Sequence, residues 1–362
     1  MNGRGRRFAT RAVHAGLEPD GTFGSIIPPI HQTSTFVQPA PGEFVGHYDY
    51  SRSANPTRSA LEAALGELEG GLGLAFASGM AATHALITAI CSQGDHVILP
   101  RDLYGGTYRL VDKILTRFGL SYDMVDQSDV DALSAALRPE TKLVWVETPT
   151  NPLLNVVDVA AVVERSGDVL VAVDNTFATP AVQRPLELGA GAAMHSTTKY
   201  LGGHSDVVGG ALVVSDPELH ERLHFVQYSI GAVPGPFDCF LVHRGLRTLH
   251  LRVAAHSDNG RAVSEFLRGA PGVSDVRWPG YGGMVSFRHP DAVRIVAATE
   301  IFSLAESLGG VESLIETPQA MTHQSVEESD AAVPADLVRV SCGVEAAEDL
   351  VEDLRQAIAA TG

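Results

Sequence analysis

Short apolar runs alternate with amphipathic stretches through the middle of the chain. Four runs are bounded by polar or glycine residues, and they lie at 74–77, 96–99, 143–146 and 169–173. Such runs are typical of strands that a parallel sheet buries on both faces. Apolar residues at helical spacing fill the stretches at 59–69, 80–91 and 107–118. Helices alternating with buried strands predict an α/β fold with a doubly wound, mostly parallel sheet.

The two ends of the chain differ from this middle part. Residues 1–50 show little periodicity and contain many prolines, which predicts an extended arm lying against a neighbouring subunit. After about residue 245, helical and strand patterns predict a smaller α+β domain. They lie at 246–265, 283–287, 291–299, 337–341 and 346–360. We therefore expect an arm over 1–58, a larger α/β domain over 59–245 and a C-terminal domain over 246–362.

The composition of the chain argues against several classes of function. The chain has 362 residues and a formal net charge of −17, which argues against nucleic-acid binding because phosphate contacts need clustered cations. The basic cluster at 4–11 is interpreted as a solvated arm. No apolar run is long enough to span a membrane, and no signal peptide is apparent. The three cysteines have no metal spacing and predict buried thiols rather than disulfides, which favours a cytoplasmic location.

The stretch around Lys199 carries the strongest chemical signal. The predicted strand at 169–173 runs directly into Asp174, and Lys199 follows behind the hydroxyls of Ser196 and Thr198. Carboxyl ends of parallel strands are where such sheets bind ligands. An acid, hydroxyl donors and a lysine there suit pyridoxal 5′-phosphate, an aldehyde with a ring nitrogen and a phosphate. A strand-end aspartate that only caps a turn is the alternative for Asp174.

Two other loops are candidate cofactor-binding segments if Lys199 binds the cofactor. Ser78 and Gly79 precede a predicted helix, whose N-terminus could bind the phosphate, although an ordinary capped turn explains them equally. Tyr104 could stack on the cofactor ring, and its hydroxyl could move a proton if a nearby cation lowered its pKa. Its alternative is a loop aromatic that packs on the surface. Arg109 is either a substrate clamp or a solvated charge.

A second enzyme class is represented by a short histidine motif. His220-Glu221-Arg222-Leu223-His224 matches the H-E-x-x-H pattern of zinc hydrolases, in which both histidines lie on one helix face. The pattern is short, and no third ligand is suggested nearby. A solvated helix face is therefore the preferred interpretation of His220 and His224.

Taken in order, these motifs resemble the transsulfuration (Cys/Met metabolism) family of PLP-dependent enzymes. The resemblance runs from about residue 10 to the C-terminus and includes the segments 50–58, 78–82, 104–107, 147–152, 174–176, 195–204, 304–313 and 339–343. Within the family, the chain is most similar to members that form or cleave cystathionine at the γ-carbon, by γ-replacement on a homoserine ester or by γ-elimination of cystathionine. The resemblance implies PLP fold type I and a homotetramer, a dimer of dimers whose sites are shared between subunits.

The family's functional residues carry over to matching positions. Lys199 would attach the cofactor, and Asp174 and Tyr104 would contact its ring. The remaining cofactor contacts implied by the resemblance are Gly79, Met80, Ser196 and Thr198, with Tyr50 and Arg52 reaching in from the neighbouring subunit. The implied substrate-binding residues are Asp49, Arg109, Asn151, Glu306, Ser307 and Arg339. Among these, Arg339 would bind the substrate carboxylate.

In the implied reaction, the amino group of the substrate first displaces Lys199 from the cofactor. The freed Lys199 amine then removes the Cα proton, and the Cγ substituent leaves, with Tyr104 as a candidate acid. Replacement by cysteine would make cystathionine, whereas elimination would give 2-oxobutanoate and ammonia. Gly106 and Arg109 argue against a methionine γ-lyase. The chain slightly favours the synthase, and the homoserine ester stays open. Two departures from the family are a shortened segment near Gly280 and a tyrosine at position 228.

Overall fold

The computed structural model describes residues 5–322 and 332–361. Two helices begin the chain, α1 at Phe8–His14 and α2 at Pro56–Glu69, with extended chain between them. The Asn55 side chain accepts a hydrogen bond from the Thr57 N–H, and Gly70 ends α2 in the left-handed conformation. These capping residues fix where the folded core begins.

A seven-stranded sheet forms the centre of the larger part of the chain. Its strands are β1 Leu72–Phe76, β2 His96–Pro100, β3 Ser121–Val125, β4 Thr141–Glu147, β5 Leu170–Asp174, β6 Ala192–Ser196 and β7 Gly210–Val214. They stand in the order β1-β7-β6-β5-β4-β2-β3. All run in one direction except β7, which pairs antiparallel with both β1 and β6. The carboxyl ends of the six co-directional strands therefore share one edge.

Helices cover this sheet. They are α3 Gly79–Ile90, α4 Gly105–Lys113, α5 Val130–Ala136, α6 Val159–Ser166, α7 Thr179–Val182 and α8 Pro217–Ile230, with 3₁₀ turns at Leu115–Phe118 and Pro185–Leu188. The apolar middles of β2 and β4 are fully buried beneath them, as both-face burial of a parallel strand requires. Helices α9 Pro236–Leu246 and α10 Leu249–Leu267 lead to the second sheet.

The second sheet has five strands and is mostly antiparallel. They are β8 Ser274–Arg277, β9 Met284–Arg288, β10 Ser303–Leu304, β11 Leu314–Glu316 and β12 Leu337–Ser341, in the order β10-β11-β12-β9-β8. Helices α11 Ala292–Ala298, α12 Pro318–Met321 and α13 Ala347–Ala359 complete this part. The α/β class expected from the sequence is confirmed. None of the helices in the described residues is long and apolar enough to cross a membrane.

Local details differ from the sequence expectations. The predicted helix at 107–118 is broken, because α4 ends at Lys113 and a separate 3₁₀ turn follows. The basic cluster is not wholly solvated, since α1 runs through it and Arg11 donates hydrogen bonds to the carbonyls of Glu67 and Leu68. A cation at that place complements the carboxyl end of α2.

Candidate active site

A cavity of about 330 Å³ opens at the carboxyl edge of the seven-stranded sheet. Residues that follow or end β1, β4, β5 and β6 form one side, and residues from the second sheet and its loops form the other. Eleven residues predicted from the sequence line this cavity: Gly79, Met80, Tyr104, Asn151, Asp174, Ser196, Thr198, Lys199, Glu306, Ser307 and Arg339. The fold thus brings together positions that lie up to 260 residues apart.

The start of α3 and the end of β6 form a cradle that fits a phosphate. The Ser78 hydroxyl caps α3 by accepting from the Ala81 N–H at 3.0 Å. A Cβ added to Gly79 would lie 3.0 Å from the Cβ of Ser196, so a larger residue there would crowd Ser196 where the helix approaches it. The helix N-terminus and the nearby Ser196 and Thr198 hydroxyls are suited to an anion.

Two buried carboxyl groups stand side by side at the strand ends. Glu147 and Asp174 are register partners on β4 and β5, and both line the cavity. Burial raises the pKa of both groups, and the charge of Asp174 raises the pKa of Glu147 further. The Thr176 N–H donates to Asp174 Oδ1 at 3.0 Å, which opposes the shift and holds the carboxyl in place. An acid in this setting fits the protonated ring nitrogen of pyridoxal phosphate.

Lys199 projects into the same cavity. Its Nζ donates to Ser307 Oγ at 2.7 Å. Burial, followed by the charge of Arg339, lowers the lysine pKa to about 8, although Glu316 and Glu306 oppose the shift. A lysine amine with a lowered pKa is the activated nucleophile that a covalently bound aldehyde cofactor requires.

The lowered pKa of Lys199 has a testable consequence for the cofactor-free protein. Because the folded-state pKa is about 8, the amine is mostly neutral above that pH and mostly protonated below it. Trace acetylation, mapped by mass spectrometry, should therefore increase about tenfold per pH unit at Lys199 and level off above pH 8. The chain has only two other lysines, the exposed Lys113 and Lys142, which serve as reference amines. Continued growth of Lys199 reactivity beyond pH 9.5 would contradict this assignment.

Tyr104 lies immediately before α4, with its ring folded over Gly106. A Cβ on Gly106 would meet the Tyr104 ring at 2.4 Å, so the glycine makes room for the ring. Burial raises the pKa of Tyr104; Arg109 opposes this effect and nearby acids add to it. The condition considered from the sequence, a pKa lowered by a nearby cation, is not met in this chain, because desolvation outweighs the charge of Arg109. The phenol stays protonated and is suited to donate a proton.

Arg339 on β12 is held from three sides. It forms a buried ion pair with Glu316 at 2.9 Å, donates to Asn151 Oδ1 at 2.7 Å and donates to the Ser307 carbonyl at 3.2 Å. Ser307 adopts φ 101°, a strained value for a residue with a side chain. It thereby contacts Lys199 through its hydroxyl and Arg339 through its carbonyl.

Four predicted site residues do not line the cavity of their own chain. Asp49, Tyr50 and Arg52 belong to the arm, where Arg52 lies over the Tyr50 ring at 5.5 Å and donates to the Tyr228 carbonyl. Arg109 lies on the outer part of α4 and is exposed. Their predicted contacts with cofactor or substrate stay predictions.

The histidine motif shows no arrangement typical of zinc. His220 and His224 both lie on α8, and the His224 ring faces the Ser53 carbonyl at 3.3 Å. Within 5–322 and 332–361, no three His, Cys, Asp or Glu side chains are grouped so that they could hold a metal ion. Nothing in the described part of the chain supports the zinc hypothesis.

Three residues of the site were not assigned a role from the sequence. Glu147 accepts two backbone hydrogen bonds, Thr176 Oγ1 accepts from the Ser196 N–H, and Glu316 pairs with Arg339. Glu147 and Thr176 lie at or next to strand ends that the apolar runs predict, so the sequence alone places both residues at the edge of the sheet. Their partners are distant in sequence, and only the fold reveals them.

The fold and the cavity together define a PLP-dependent enzyme of the type I class. The family model described as Cys/Met metabolism PLP-dependent enzyme matches residues 9–359, and the chain belongs to this family. It is 52% identical to the cystathionine gamma-synthase of Mycobacterium tuberculosis, over 97% of this chain and 96% of that one. It is also 48% identical to a cystathionine beta-lyase of Lactococcus lactis, over 96% and 98% of the two chains.

A solved structure agrees with these relatives. The crystal structure of metB from Corynebacterium glutamicum has 47% sequence identity, covers the whole of both chains and gives a TM-score of 0.99. The alignment with the Mycobacterium tuberculosis relative spans 375 positions, more than the 362 residues of this chain. That relative therefore contains residues without a counterpart here, as a shortened segment requires. The place of the shortening, near Gly280, stays a prediction.

Proposed function

We propose that the protein catalyses γ-replacement on an ester of homoserine, with the thiol of cysteine as the incoming group. The Cγ–O bond of the ester breaks, a Cγ–S bond forms, and cystathionine and the free acid are released. A 52%-identical relative carries the name cystathionine gamma-synthase, which supports cystathionine as the product. The geometric observation that carries the proposal is Ser307, which contacts both Lys199 and Arg339. An amino acid bound by its carboxylate to Arg339 would present Cα to the Lys199 amine.

We assign a role in binding the cofactor to several residues of the cavity. Gly79, Met80, Ser196 and Thr198 would hold the cofactor phosphate, and Asp174 and Tyr104 would hold its ring. When bound, pyridoxal phosphate accepts the electrons left by a broken bond at the substrate Cα.

The chain's own residues then move the protons. The Lys199 amine, with its lowered pKa, takes the Cα proton, and the protonated Tyr104 phenol donates to the departing group. Glu306 also lines the cavity, and we assign to it a contact with the distal part of the substrate. These assignments rest on burial and contacts around the cavity.

The same proposal includes a homotetramer in the cytoplasm with sites shared between subunits. Tyr50 and Arg52 would enter the neighbouring subunit's cavity, since both lie outside their own. The arm also exposes apolar side chains, among them Phe23 and Val37, about nine-tenths of whose surface faces solvent in a single chain. Coverage by a second copy would remove that exposure.

Product analysis tests the proposed reaction. The purified enzyme is incubated with cysteine and the succinyl, acetyl or phosphoryl ester of homoserine, and separately with cystathionine alone. We expect cystathionine from one ester, faster than any release of 2-oxo acid. Rapid 2-oxobutanoate release from cystathionine without net synthesis would instead indicate a γ-lyase. Pyruvate and homocysteine would indicate the β-lyase chemistry named for another relative.

A further inference from the structure

We propose that Glu147 is a positioning residue that holds two walls of the active site in a fixed relation to each other. One wall is the Tyr104 loop, and the other is the turn that carries Asn151. The inference deepens the proposed function and rests on it. Glu147 lines the cavity, and it acts through the two backbone segments that it holds.

The two carboxylate oxygens of Glu147 serve different segments. Oε2 accepts from the Tyr104 N–H at 3.0 Å, and Oε1 accepts from the Asn151 N–H at 2.8 Å. The residue is only 4% exposed, so loss of either bond would leave a buried polar group poorly compensated by water. A glutamine could accept only one of them, because its amide nitrogen is a donor and would face the other N–H. The two N–H donors therefore favour the ionised carboxylate and oppose the rise in the Glu147 pKa that burial causes.

The first wall depends on the start of α4. Tyr104 is the N-cap residue of this helix, and its own side chain makes no capping hydrogen bond. A carboxylate close to the first turn satisfies a helix N–H and complements the helix dipole. Because the Tyr104 ring lies against Gly106, it follows the backbone at 104–106. Glu147 thereby sets the height of the ring over the cavity.

The second wall depends on the turn after β4. Asn151 is held at its N–H by Glu147, and its side-chain oxygen accepts from Arg339 Nη1 at 2.7 Å. Displacement of this turn would move the partner that orients the guanidinium. A single buried side chain thus connects the ring-stacking tyrosine with the substrate carboxylate clamp.

The test compares the holoenzyme with Glu147→Gln and with a matched control, Asp353→Asn. Asp353 is also a buried carboxyl that accepts several backbone N–H groups, those of Glu300, Ile301 and Phe302, but it does not line the cavity. In Glu147→Gln, amide hydrogen exchange should accelerate in peptides that cover 101–112 and 148–158. Its kcat should fall and its KM rise, with kcat/KM at least about tenfold lower. In Asp353→Asn, only exchange near 300–302 should change.

The outcomes separate this inference from the proposed function. Wild-type exchange in both peptides, together with unchanged kcat and KM, would overturn the role of Glu147. If Glu147→Gln does not fold, Glu147→Asp decides, because its shorter side chain keeps the charge but cannot reach both N–H groups. Faster exchange in both peptides of that variant supports the proposal, and unchanged exchange overturns it. A wild-type enzyme without the expected product would instead contradict the proposed function.

Discussion

Replacement of Lys199 by alanine is expected to abolish turnover and to remove the covalent link to the cofactor. The lysine supplies both the attachment point and the base at Cα, and no other lysine lines the cavity. Loss of a positioned acid–base group alone costs about 10²–10⁴-fold in rate. Loss of the nucleophile in addition should lower kcat by at least about 10⁴-fold. Steady-state assays and the visible absorption spectrum measure the two effects.

A matched control for this variant is Lys142→Ala. Lys142 is an exposed lysine on β4, the strand that ends at the active site, and its replacement should leave kcat within about twofold. The Lys199→Ala protein should also keep wild-type stability within about 1 kcal/mol, because it loses one hydrogen bond, to Ser307. Substantial turnover by Lys199→Ala would contradict the assigned role.

Replacement of Arg339 by alanine should damage binding and stability together. The guanidinium is the proposed carboxylate clamp, and charge-assisted contacts of this kind are among the strongest polar interactions. We expect the KM for the amino-acid substrate to rise about 10²-fold. Glu316, only 1% exposed, would then be left unpaired, and breaking a buried pair costs about 3–5 kcal/mol. Denaturant unfolding measures that loss.

A double variant separates the two effects of Arg339. Joint replacement by apolar residues, Arg339→Met with Glu316→Leu, removes both charges, and such exchanges are often neutral for stability. We expect the free energy of unfolding to recover while the KM stays high. If the double variant restored the KM together with stability, Arg339 would be a structural residue and the clamp assignment would be wrong.

Much of this site could be predicted because parallel sheets collect their strand ends at one edge. Apolar runs locate β2, β4 and β5, so the sequence alone predicts Asp174 at the carboxyl edge of the sheet. The apolar runs do not predict strands β6 and β7. Ala192–Ser196 is short and rich in alanine, and Gly210–Val214 begins in a glycine pair. The antiparallel direction of β7 depends on pairing between distant segments, which periodicity does not encode.

The same limit applies to the electrostatics of the cavity. A lysine near an acid is visible in the sequence, but the pKa of Lys199 follows from burial and from Arg339, 140 residues away. Tyr104 shows the limit most clearly, because desolvation outweighs the nearby cation Arg109 and raises the pKa of the phenol. The double role of Glu147 depends in the same way on contacts between loops that the sheet brings together.

Borohydride reduction of the purified enzyme, followed by peptide mapping, shows directly whether Lys199 binds the cofactor. Reduction fixes a cofactor bound to a lysine amine as a stable secondary amine, and the chain has only three lysines to distinguish. We expect one pyridoxyl group per chain, located on Lys199. A label on Lys113 or Lys142, or no label on a protein that is active without added cofactor, would contradict it.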